Sequence, residues 1–83
     1  EQGKTNPFLH INLHLALQDQ LALNQPTGIT DIYKKLIVIH SNAHEAEHIM
    51  MEFIAEMIYY SQKYNTPFDQ EKYLKKLQKI VNS

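Results

Sequence analysis

The chain has 83 residues, a net charge of −1, eight lysines, no arginine and no cysteine. The missing cysteine excludes disulfides, iron–sulfur clusters and thiolate zinc sites, so any metal must be held by His, Asp or Glu. The near-neutral charge gives no general attraction to nucleic acid or an anionic membrane, and without arginine the bidentate grip on phosphate or guanine is missing.

A chain of this size reads as a single helical domain, residues 1–83, burying roughly 60–65% of the surface its unfolded form exposes. A metal or a homo-oligomer contact would add to so modest a core. The sequence opens Glu1-Gln2-Gly3-Lys4 without an initiator Met, which predicts a processed or truncated protein. No stretch approaches the ~20 apolar residues of a membrane span, and no signal peptide is visible. The expectation is a cytoplasmic protein with no nucleic-acid or membrane partner.

Residues 1–5 read as a flexible lead-in. Asn6-Pro7 then starts a helix, with Asn6 as cap and Pro7 in the first helical position, running to about Leu23. Asn24-Gln25-Pro26-Thr27-Gly28 ends it. Thr30 is expected to cap a second helix over about 31–40, with Ile32, Leu36 and Ile39 on one face. Its run Leu36-Ile37-Val38-Ile39 is β-branched enough for a strand, but no partner strand is visible. Asn42-x-x-Glu45 has capping-box spacing and opens a third helix over about 43–63, which Asn65-Thr66-Pro67 terminates. Asp69 caps a fourth over about 70–81, with Phe68 stapled on Tyr73. The lysine stripe of Lys72, Lys75, Lys76 and Lys79 reads as a solvated face. The fold class is all-α, a small four-helix bundle-like domain, completed by further residues or by oligomerisation.

Four of the five histidines form two H-x-x-x-H pairs, His10/His14 and His44/His48. On a helix each pair projects two imidazoles from one face, one turn apart, as a single helix does for one metal ion. On a helical wheel His10 and His14 share an arc with Leu13, Leu17 and Leu21. His44 and His48 share one with Met51, Ala55 and Tyr59, flanked by Glu45 and Glu52. Both pairs therefore read as facing the interior, where helical bundles build metal sites. A lone buried histidine is more often a hydrogen-bonded core residue. Four interior imidazoles in matched pairs are hard to satisfy without a shared partner.

The leading expectation is one site with His10, His14, His44 and His48 as ligands, and Glu45 or Glu52 as a further ligand or as the orienter of an imidazole. Zinc is the default divalent metal, with iron or nickel as alternatives. Imidazole binds only when neutral, so such a site loses affinity below about pH 6. Four other readings compete. His44-Glu45-Ala46-Glu47-His48 matches H-E-x-x-H, which would make Glu45 the general base of a zinc hydrolase, though no edge strand for a peptide is visible. Glu45-x-x-His48 matches the helix element of di-iron bundles, but only Gln18, Glu52 and Glu56 lie near to complete it. The domain also reads as a protein-interaction or dimerisation module without metal. Paired histidines suit haem as well, without a specific motif. His40 stands outside the helical register of His44 and is left out of the ligand set. The tyrosines read as core or interface aromatics.

The strings Asn6-Pro7-Phe8-Leu9-His10, His14-Leu15-Ala16, Gln25-Pro26 with Gly28-Ile29, and His44-Glu45-Ala46-Glu47-His48 with Met51-Glu52 resemble an uncharacterised proteobacterial family. It is the domain-of-unknown-function family eighteen-forty-one, and the resemblance runs from about Gly3 to Leu77. It implies a bacterial, cytoplasmic, helical protein of which this chain is the C-terminal portion. It implies no activity.

Overall fold

The computed structural model describes residues 7–82. The expected lead-in and the Asn6 cap lie outside them. The helices are α1 (Pro7–Leu23), α2 (Ile29–His40), α3 (Ala43–Lys63) and α4 (Gln70–Val81), and no strand occurs among the described residues. No helix there is long and apolar enough to cross a membrane. The β-branched run of α2 is helical, with Ile32 and Leu36 buried and Val38 and Ile39 facing out.

α1 and α3 end in the same way. Asn24 and Asn65 take positive φ, 51° and 54°, a turn that asparagine tolerates better than most residues. The following amide then bonds back across the last turn, Gln25 N–H to the Gln20 carbonyl at 3.0 Å and Thr66 N–H to the Ser61 carbonyl at 2.9 Å. This is the Schellman arrangement, and Pro26 and Pro67 directly behind it stop the helix from resuming.

Asn24 also starts α2. Its Oδ1 accepts the Gly28 amide at 3.2 Å, the Thr30 amide at 3.3 Å and the Thr30 hydroxyl at 2.9 Å. The expectation that Thr30 caps α2 is thereby corrected. The cap position is Gly28, at φ 99°, and Thr30 already lies in the first turn with its hydroxyl turned back to Asn24. α3 and α4 open as their sequences predict. Asn42 Oδ1 accepts the Glu45 amide at 3.1 Å, and Asp69 Oδ1 accepts the Lys72 amide at 3.0 Å. Phe68 meets Tyr73 edge-on with 5.7 Å between ring centroids, the staple that fixes how the chain enters α4.

α2 and α3 pack on each other, and α1 and α4 each pack against both without packing directly together. The core draws Leu13 and Leu17 from α1, Ile29, Ile32 and Leu36 from α2, Ala46, Met50, Met51, Ile54 and Met57 from α3, and Tyr73 and Leu77 from α4. Tyr73 reaches across the gap between the outer helices, its hydroxyl donating to Gln20 Oε1 at 2.9 Å. Burial pushes that hydroxyl's pKa up from the ordinary value of 10.0.

Two outcomes follow from these ends and this contact. Gly28→Ala meets no neighbouring atom, yet its positive φ remains, so the variant should unfold about 1–2 kcal/mol more easily in a urea titration. Tyr73 keeps its proton in the folded state after the unfolded chain has lost it. Its contribution is therefore complete below about pH 10 and is lost progressively as pH rises above that value toward the raised pKa of the folded state. Tyr73→Phe should cost about 1 kcal/mol at pH 7 and flatten the alkaline fall in stability, measured by urea midpoints at pH 7 and above 10.

Candidate metal centre

The site lies where α1 packs on α3. His10 and His14 stand one turn apart on α1, beside the buried Leu13 and Leu17, and both are half-buried. His48 faces them from α3. Ring centroids are 4.7 Å apart for His10 and His14, 5.6 Å for His10 and His48, and 5.8 Å for His14 and His48. One ring nitrogen from each of the three lies within 4.8 Å of the others.

The nitrogens lie close enough together to share one partner. The Nε2 atoms of His10 and His14 are 3.1 Å apart. Two neutral rings can meet there only if one donates N–H and the other accepts. The same separation is close to the roughly 3.3 Å between two nitrogens bound tetrahedrally at the usual zinc–imidazole length. The Nε2 of His48 is buried and has no hydrogen-bond partner among the described residues. An orphaned polar atom of that kind costs about 1–3 kcal/mol unless water or an ion satisfies it.

A carboxylate and a phenol stand behind His14. Glu47 Oε1 is 4.0 Å from His14 Nδ1, an electrostatic contact longer than a hydrogen bond, and Glu47 Oε2 accepts the Tyr33 hydroxyl at 3.0 Å. Burial raises the Tyr33 pKa, and the bond to Glu47 and its charge push the same way. Tyr33 thus stays a donor, holding Glu47 where it can favour an Nδ1–H tautomer on His14 and leave Nε2 free to bind.

The other expected site residues fall elsewhere. His44 is exposed, and its ring packs on His48 with 4.1 Å between centroids and a 51° tilt. It does not join the three-nitrogen cluster. Glu45 and Glu52 are exposed and stand outside the cluster too. Glu56 pairs with Lys76 of α4 at 3.3 Å, which also draws that lysine out of the solvated stripe. His40 is exposed at the end of α2. The expectation that both residues of the His44/His48 pair face inward needs correcting. The inner face of α3 is centred on Ala46, Met50, Ile54 and Met57, whereas Tyr59, used to orient the wheel, is 57% exposed. His48 sits on the flank of that face, toward α1, and His44 turns to solvent.

Sequence reasoning passed over Glu47 and gave Tyr33 only a packing role. A signal for Glu47 was present: one residue before His48, it lies on the same arc as Met51 and Ile54, where an acid needs a partner. Nothing in the sequence near Tyr33 pointed to Glu47, fourteen positions away.

Fold and site together define a small all-α protein with a three-histidine cluster between two helices. The chain belongs to the family described as Domain of unknown function (DUF1841), which it matches over residues 1–79. Neither a curated protein nor a solved structure matches it at a significant level.

Glu47→Gln keeps the shape of the side chain and removes its charge. If the cluster holds zinc, its affinity should fall about 10–100-fold, as when other partners of a ligating imidazole are lost. A competition titration against a chromophoric chelator measures it, with circular dichroism showing that the fold is kept.

Proposed function

We propose that this domain binds one divalent transition-metal ion through His10, His14 and His48, with Glu47 and Tyr33 orienting His14. The observation that carries the reading is the convergence of three ring nitrogens from two helices within 4.8 Å, joined by the unpartnered Nε2 of His48. Neutral nitrogen donors without thiolate suit zinc first, with iron and nickel next. The reading differs from the four-histidine expectation in leaving out His44. It also weakens the hydrolase alternative, because H-E-x-x-H chemistry needs His44 and His48 on one ion with Glu45 beside it.

A metal-free interaction module is the second reading. It is favoured by the exposed Ile11 and Leu15, one turn apart on α1, since a contiguous apolar patch marks a partner surface.

Elemental analysis of protein purified without a polyhistidine tag separates the two. One equivalent of metal is expected, and at a free-metal concentration a hundredfold above Kd it should add about 2.7 kcal/mol of stability that a chelator removes. His48→Gln should abolish both effects. Thermal stability that ignores chelator, with no metal retained or taken up on titration, would overturn the metal reading and leave the interaction module.

A further inference from the structure

Three protein nitrogens do not fill the shell of a first-row ion. Structural zinc sites use four protein ligands, whereas sites that do chemistry keep a position for a ligand from outside the chain. Which kind this is turns on His44, the remaining histidine with helical spacing from His48.

His44 is placed as a cover. Its ring rests against that of His48, tilted 51° at 4.1 Å, and none of its nitrogens belongs to the cluster. Among the described residues no carboxylate joins the cluster either. Glu45 and Glu52 are exposed outside the cluster, and Glu47, whose Oε2 accepts from Tyr33, also lies outside it. Three imidazoles bind as neutral donors, so a divalent ion keeps both positive charges in a half-buried setting. The cluster is reachable, because His14 leaves 33% of its side chain exposed. A cation with an incomplete shell, open to solvent and short of anionic ligands, draws an anion.

We infer that the loaded cluster takes a small, exchangeable, monodentate anion as its fourth partner, while His44 shields His48 without ligating. This rests on the three-histidine reading above and goes further in making the site an open one.

The test uses the full 83-residue chain, untagged and loaded with Co2+, titrated with sodium azide at constant ionic strength while visible absorption is followed. The expected result is one Co2+ per chain and a saturable shift of the visible bands with azide. His44→Gln should bind Co2+ as tightly as the parent and show the same azide shift. Bound Co2+ whose spectrum azide does not move overturns the open site and leaves the three-histidine reading standing. A His44→Gln variant that loses Co2+ as far as His48→Gln does overturns the shielding role, since His44 is then a ligand. A folded parent chain that binds no Co2+ overturns both the metal reading and this inference.

Discussion

Packing α1 on α3 forces three imidazoles into one small volume, and the chemistry of the site depends on how that crowding is resolved. An imidazole nitrogen stripped of water must find a donor, an acceptor or an ion. His10 and His14 can satisfy each other through one shared proton, at 3.1 Å between Nε2 atoms. That arrangement offers nothing to the buried Nε2 of His48. A cation between the rings resolves all three positions with one partner, and it requires only that each ring carry its remaining proton on the other nitrogen. Glu47 stands on that side of His14, so tautomer and ligation point the same way.

The cluster exists because the helix ends are fixed. Asn24 closes α1 through its backbone and opens α2 through its side chain, so one residue ties the end of the first helix to the start of the next. Asn42 then sets where α3 begins, which fixes the rotation that turns His48 toward α1 and His44 toward water. A one-residue slip in α3 would rotate its side chains by about 100° and carry His48 out of reach of His10. These caps are local bonds of modest worth individually, yet they set the register on which the distant contacts depend.

This division also explains what could be read from the sequence. Four helices and most of their ends were legible, because Asn42, Asp69, Pro26 and Pro67 act on their immediate neighbours. The Asn24 cap was not, because its oxygen crosses a loop to reach Thr30, six residues on. The histidine pairs were legible as helical spacing, since i and i+4 share a face on any helix. Which of them would converge was not. α3 carries apolar residues on more than one arc, and only contact with α1, α2 and α4 decides that Met50 and Ile54 face the core while Tyr59 does not. The choice of carboxylate followed from that rotation. Glu45 and Glu52 flank the histidines on the outer side, and Glu47 lies on the inner one.

The position of the cluster bears on how α1 is held. Among the described side chains of α1, Leu13 and Leu17 are buried, while Ile11, Leu15 and Leu23 lie open. α3 contributes five buried residues. Helix segments with few buried contacts open at lower free energy than the core. Gln20 gives it one polar tie to Tyr73 of α4, near the end where Asn24 already pins the chain. His10 and His14 lie toward the opposite end, where no such cap is described. An ion bridging them to His48 would clamp α1 to α3, coupling metal binding to the docking of that helix.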